Sequence, residues 1–435
     1  MLGGVTINYL KLIFCGLLVI LVYLGVELIA VVILYFDQGH TRSFSEWRKV
    51  QAAVVRADGG YREGYGLDGE NPWVLNPYLG YTYDPENKPR WWTGGVDEMG
   101  FLNLRSPLKP PEANEVVLGV FGGSVSHQVS SVGLQPLLAE LKKMSFFRSK
   151  KFVTLRFGLG AYKQPQTVLA LAYLISIGVR FDIIVNLDGF NEITLPFVGN
   201  IPFGTSPFYP VYWQSRVPTG ASSQALRGIG SIEIYETFRR RYARFMFESP
   251  LHYSNAADVA WFLTDRLLGK WVMETRGAVT RQDDKPKYLA RHGPASTLQT
   301  RFASYEGVAQ NWATSSLEME RLARLVGAHY YHFLQPNQYL PGTKTLTVDE
   351  LNEDYDPKSP YLKHVKEGYP YLQRASERLI HSNVRFVDLT GIFRRIPETV
   401  YSDKCCHFNL HGAEILGQAI GVQIRQWYTL DALKH

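Results

Sequence analysis

VVLGVFGGSVSHQVS, residues 116–130, is the stretch on which the fold turns. Val116 to Phe121 is an unbroken apolar and glycine run without polar alternation, the pattern of a strand buried on both faces of a parallel sheet. Gly122 and Gly123 then allow a tight turn, and Ser124 follows at the start of a helical pattern.

Working outward, the same alternation of short apolar runs and longer helical stretches recurs. Strands are predicted at 116–121, 152–157, 181–187, 328–334 and 384–389, and helices at 126–144, 166–178 and 410–427. Such alternation predicts a three-layer α/β/α domain over 115–435, built on a mainly parallel, flavodoxin-like five-stranded sheet. Between the third and fourth strands lies an insertion, 194–327, that opens on a Pro/aromatic loop. Its spacing then predicts helices over 232–248, 257–273 and 315–326, a helical cap or subdomain within the sheet domain.

Ahead of the sheet, residues 10–36 carry a single charge, Glu27, once Lys11 is passed. The run is long enough to cross a hydrocarbon core of roughly 30 Å, so residues 1–36 are expected to hold one retained transmembrane helix. Glu27 reads first as a helix contact or a carboxylate near the headgroups. Lys11 on one side and Arg42, Arg48 and Lys49 on the other leave the orientation open. Residues 37–114 form a lead-in segment: a helix over 44–56, then a stretch rich in Gly, Pro, Asn and aromatics draped over the following domain.

Of the 435 residues, 46 are Lys or Arg and 40 Asp or Glu, a net +6 with no basic block, which argues against nucleic acid as a partner. A hydrophobic share of 46% excludes a disordered chain, and three cysteines cannot make a disulfide scaffold. Adjacent Cys405 and Cys406 are poorly placed to bridge each other.

The polar residues that could carry chemistry gather after the predicted strands, where open α/β sheets bind their ligands. Ser124 follows the first strand, at a turn where helix amides can face an oxyanion; taken alone it reads as an N-cap. Asn191, after the Gly189 turn that ends the third strand, can donate to an oxyanion or cap a helix. Asp403 lies just before His407 near the last helix, where a carboxylate can hold an imidazole in the tautomer that accepts a serine proton. Gln335 and Asn337 follow the fourth strand and are candidate substrate contacts, although a Pro-fixed loop explains them as well. His127 reads as a helix-surface residue. The aromatics Trp91, Trp92, Phe208, Tyr209, Tyr212 and Trp213 read as glue between loop and core. Cys405, Cys406 and His407 are consecutive and cannot converge on one ion without strain, so no metal and no cofactor is expected.

Taken together, Ser124, Gly189-Phe190-Asn191 and His407 with Asn409 and Gly412 resemble the blocks of the SGNH/GDSL hydrolases. The block 157–162, Phe-Gly-Leu-Gly-Ala-Tyr, resembles that family's second block, and the lead-in 76–81 resembles the segment before the hydrolase domain in membrane-anchored members. The resemblance implies Ser124 as nucleophile, His407 as general base and Asp403 as its orienting acid. It also implies an oxyanion hole from the Ser124 and Ala161 amides and the Asn191 side chain. Three departures stand out: Gly-Gly-Ser replaces Gly-Asp-Ser, the donor position of the second block falls on Ala161 with Gly160 before it, where a backbone N–H serves either way, and Asp403 precedes His407 by four residues where the family usually has three. The loop must bulge, or Asp388 must serve instead. The expected protein is a single-pass membrane esterase acting on an O-acyl group of an envelope carbohydrate or lipid, its catalytic domain outside the cytoplasm. An acyltransferase using the same acyl-enzyme, or a silent envelope binding or assembly module, are the alternatives.

Overall fold

The computed structural model describes residues 9–38, 43–56, 73–86, 94–213, 223–281, 292–294 and 301–432. In chain order the chain forms helices α1 (Tyr9–Gln38) and α2 (Phe44–Arg56), then a hairpin of β1 (Trp73–Asn76) and β2 (Gly80–Tyr83). There follow β3 (Glu115–Gly122), α3 (Ser124–Ser131), α4 (Leu134–Lys142), α5 (Ser145–Arg148), β4 (Lys151–Gly158), α6 (Gln166–Ser176), β5 (Ile183–Asp188) and α7 (Phe190–Leu195). The chain continues through α8 (Ser223–Glu248), α9 (Asn255–Arg281), α10 (Tyr305–Leu325), β6 (His329–Leu334), α11 (Leu362–His381), β7 (Arg385–Asp388) and α12 (Leu410–Ala432). These described residues fall into two compact units: one gathers residues up to 58 with 230–275, the other gathers the rest.

The larger unit is the mixed α/β domain. Its five strands run in the order β4-β3-β5-β6-β7, every neighbouring pair parallel, as in the doubly wound sheets that place the first strand between the second and the third. Every residue of β3 is buried. Gly119 is required inside it, because a Cβ there would lie 2.7 Å from the Phe181 ring. Phe121 stacks on Phe157 at 4.9 Å between centroids, and Phe101 meets Phe157 edge-on at the same distance.

Where the sequence predicts one helix over 126–144, the chain makes two, α3 and α4, and the short α5 follows them. The break at Gly133 has a packing cause: α12 crosses so closely that a Cβ on Gly417 would lie 2.0 Å from the Gly133 carbonyl oxygen. The lead-in holds a hairpin the sequence reading lacks. Its turn is made by Asn76, whose Oδ1 accepts from the amides of Tyr78 and Leu79, both at 3.0 Å.

The smaller unit contains α1, α2 and most of α8 and α9, so helices of the insertion group with the N-terminal helices rather than with the sheet. Trp47 of α2 packs edge-on against Trp261 and Phe262 of α9, in a core shared with Ala30, Ala243, Met246 and Val259. Arg239 on α8 grips Asp265 on α9 with two bonds of 2.9 and 3.0 Å, fixing the pair of long helices. Glu27, read as a helix contact, is one: it accepts from the Ser254 hydroxyl and, at 2.7 Å, from the Asn255 amide.

Helix α1 has 30 residues. Its side chains are described without a break only over 17–33, a stretch worth about 26 Å of helix. Among the described residues no helix is long and apolar enough to cross a membrane. Of the stretch 10–36 expected to cross, the side chains of residues 10–13, 16 and 34–36 lie outside the described residues.

Gly122 offers a test of how tightly the sheet closes. It sits at φ +132°, and an added Cβ would fall 2.1 Å from the Leu187 carbonyl oxygen, whereas Gly178, at φ +97°, faces open space. Gly178→Ala should cost about 1 kcal/mol, the conformational share alone. Gly122→Ala should cost at least twice that, read from urea unfolding midpoints; equal losses would contradict the packing described.

Candidate active site

Parallel register brings the strand ends to one edge. Gly122 of β3 pairs with Gly158 of β4 and Leu187 of β5, while Asp188 pairs with Leu334 of β6 and Leu334 with Asp388 of β7. The loops leaving that edge carry the candidate residues. Ser124 is the first residue of α3, where the opening amides of a helix have no partner within it.

The loop between β7 and α12 delivers His407. Its ends are held together by the Tyr401–Phe408 bridge and by a 2.8 Å bond from the Asn409 amide to the Val400 carbonyl. Inside it, His407 places Nε2 2.7 Å from Ser124 Oγ and Nδ1 2.5 Å from Asp403 Oδ2. The tautomer follows from these partners: Nδ1–H donates to the carboxylate, and Nε2 accepts from the serine hydroxyl.

The extra residue between Asp403 and His407 does not break the pairing. Oδ1 of Asp403 accepts from the amides of Cys405, Cys406 and His407 at 2.9, 2.9 and 3.2 Å, so the chain wraps round the carboxylate like a turn of helix. Burial pushes the Asp403 pKa up, but the His407 charge and these hydrogen bonds outweigh it and hold the group below the usual carboxylate range. Asp388 is engaged elsewhere, by Gln373 and the Thr390 amide, so the acid beside His407 is Asp403. Both ring nitrogens of His407 are thus engaged, which leaves neither for a metal among Cys405, Cys406 and His407, although their ligand atoms lie within 4.8 Å. The two cysteine sulfurs sit 2.8 Å apart.

The other two donors come together beside Ser124. Asn191 Nδ2 donates to the Tyr162 carbonyl at 2.8 Å, and a Cβ on Gly123 would lie 2.3 Å from that nitrogen, so a glycine is needed next to the serine. This explains the Gly-Gly-Ser form of the first block: the position before the serine has no room for a side chain. Ala161 holds φ +61°, a left-handed value uncommon for a residue with a Cβ and typical of sites whose geometry is imposed by their surroundings.

A polar brace behind the edge imposes it. Glu192 accepts from the Gly189 amide at 2.7 Å and the Gln164 amide at 3.1 Å, joining the turn that carries Asn191 to the loop that carries Ala161. Burial, and then the nearby charge of Asp188, push its pKa up to about 8. Asp188 itself accepts from Trp312 Nε1 at 2.7 Å, Asn186 Nδ2 at 2.8 Å and His332 Nε2 at 2.8 Å, all inside the domain.

Several positions differ from their expected roles. Asn337 is fully buried, donating to the Cys405 carbonyl at 3.0 Å and accepting from the Tyr339 amide at 2.9 Å. It braces the loop that carries Asp403 and His407. Gln335 is likewise buried. His127 is half-buried rather than on the open helix surface, and burial, with the charges of Arg156 and His407, lowers its pKa to about 3. Tyr212 is buried and Phe208 packs on the core, as loop glue would; Trp91 and Trp92 lie outside the described residues.

Two residues the sequence reading did not single out for this role also act here. Gln128, one helical turn past Ser124, bonds both the amide and the carbonyl of Phe408, tying the serine helix to the residue after His407. Tyr81 of the lead-in hairpin donates to the Gly160 carbonyl at 2.7 Å, beside Ala161, while Tyr162 returns a bond to the Tyr81 carbonyl. The only sequence signal for Tyr81 is its place in the lead-in segment 76–81.

No protein-family model matches the chain, and no curated protein matches it either.

A depressed acid pKa lends stability that is present above the unfolded value of about 3.9 and is lost as pH falls through the lower folded value. Asp403→Asn should therefore lower the urea midpoint at pH 7, and the gap to the parent should narrow below about pH 4. A gap independent of pH would contradict the ion pair with His407. Tyr81→Phe should cost about 1 kcal/mol of stability through the lost bond to Gly160, measured the same way.

Proposed function

We propose that this chain is a membrane-anchored serine esterase of the SGNH type. It would cleave an O-acyl ester on a carbohydrate or lipid of the cell envelope, with the catalytic domain outside the cytoplasm. The observation that carries the reading is the unbroken relay from Ser124 Oγ through His407 to Asp403, with hydrogen bonds of 2.7 and 2.5 Å, at the carboxyl edge of a parallel sheet. The four-residue spacing resembles a departure from the family, yet it leaves the acid behind the imidazole.

In this mechanism Ser124 Oγ attacks the ester carbonyl as His407 Nε2 takes its proton. Asp403 stabilises the imidazolium that results and keeps its proton on Nδ1. The tetrahedral oxyanion is met by the amides of Ser124 and Ala161 and by the Asn191 side chain, which has two N–H donors and uses one on Tyr162. His407 returns the proton to the leaving alcohol, giving the acyl-enzyme. Water, activated by the same imidazole, then releases the acid and regenerates the serine. If a second alcohol enters in place of water, the same steps give acyl transfer. The 30-residue helix α1, whose described side chains from Phe14 to Val26 are exposed, supports the anchor.

Hydrolysis of p-nitrophenyl acetate by the full chain in detergent tests the assignment. Ser124→Ala and His407→Ala should each lose at least about 10³-fold in kcat/KM. Asn191→Ala should lose about 10²–10³-fold, mainly in kcat. Activity unchanged in Ser124→Ala would place the reaction elsewhere.

A further inference from the structure

We propose that the α8–α9 turn and helix α2 form a collar around α1 that rests in the bilayer interface, with phospholipid as the occupant of its exposed apolar side chains. The proposal rests on reading α1 as the anchor and adds where the membrane surface lies along it.

Along α1, Glu27 and Ala30 are where the helix stops facing outward alone and meets protein. Glu27 holds the start of α9, and Ala30 is buried in the core that contains Trp47 and Trp261. The apolar side chains before Glu27 are exposed from Phe14 onward. A helix rising 1.5 Å per residue covers about 30 Å between Leu10 and Ala30, the thickness of one hydrocarbon core. The interface then falls at Glu27 to Ala30, and residues 31–38 stand clear of the hydrocarbon, not inside it.

The chemistry of the collar suits that depth. At the turn, Leu251 is 45% and Tyr253 63% exposed, Tyr253 lies edge-on to exposed Phe44 at 5.8 Å, and Phe245 is exposed one turn earlier. These apolar groups would otherwise face water next to the bare surface of α1. Among them stand groups that headgroups accept: Arg48, placed over the Phe247 ring at 4.8 Å, Lys49, and the Arg244–Glu248 pair. Aromatic and basic residues interleaved on short amphipathic segments are what the headgroup boundary selects. The first amides of α9 need partners there too, because water is scarce. Ser254 Oγ accepts from Ala257 at 3.2 Å and the Glu27 carboxylate accepts from Asn255 at 2.7 Å.

The test uses the full chain in liposomes of phosphatidylcholine and phosphatidylglycerol. A bimane fluorophore is placed either on native Cys15, exposed in α1, or on Leu251→Cys in a Cys15→Ser background; Cys405 and Cys406 are buried. Quenching by lipids doxyl-labelled at carbon 5 or carbon 12 then reports depth. The proposal expects both sites to be quenched, with Leu251→Cys quenched at least twofold more by the shallow label than by the deep one. It also expects Glu27→Ala to weaken quenching at Leu251→Cys while Cys15 keeps its own. Quenching of Cys15 alone would overturn the collar and leave the anchor standing. Quenching at neither site would overturn the anchor and the collar with it. Stronger quenching of Leu251→Cys by the deep label would overturn the interfacial depth.

Discussion

The parallel pairing of β3 between β4 and β5 is the constraint on which the rest of the α/β unit depends. With Gly122 in register with Gly158 on one side and Leu187 on the other, three chains leave the sheet at one level. Their turns must pass within contact distance of each other, and only glycine allows it: a Cβ at Gly122, Gly123 or Gly158 would meet an atom at 2.1, 2.3 or 2.0 Å. That crowding sets Ser124, the Ala161 loop and Asn191 side by side before any of them has a chemical role.

The second layer of organisation is polar and buried. Placing Asp188, Glu192 and His332 inside the domain is expensive unless each is satisfied, and each is: Asp188 by four side-chain donors, Glu192 by two amides, His332 by Asp188 and by Ser316 at 2.7 Å. Such a network adds little net stability, since hydrophobic residues of similar volume would often do as well. Its effect is positional. It fixes turns that a purely apolar interior would leave free to slide. The Asp403 carboxylate does the same for its own loop, gathering three amides and the imidazole on one group.

Much of this was legible in the sequence because burial on both faces of a parallel sheet leaves a signal in short runs of Val, Ile, Leu and Phe. All five strands and the placement of Ser124, Asn191 and His407 after them could be read that way. What was not legible depends on pairs far apart in the chain. Gln128 meets Phe408 across 280 residues, and Glu27 meets Ser254 across 227, distances over which local patterns carry nothing. Asn337 looked like a substrate contact because its position at the sheet edge is visible in sequence, while its burial under Cys405 is not. The hairpin β1–β2 escaped because its strands are four residues each, too short for a period to register.

The central claim is that Ser124 is chemically activated by the relay behind it. An isolated serine hydroxyl does not react with a fluorophosphonate at an appreciable rate, whereas one whose proton can pass to a held imidazole does. Peptide mass spectrometry of the full chain after exposure to such a probe is the most direct measurement. The account expects one phosphonylated site, Ser124, whose labelling falls sharply in His407→Ala. Folded protein that stays unlabelled, or is labelled at another residue, would contradict it.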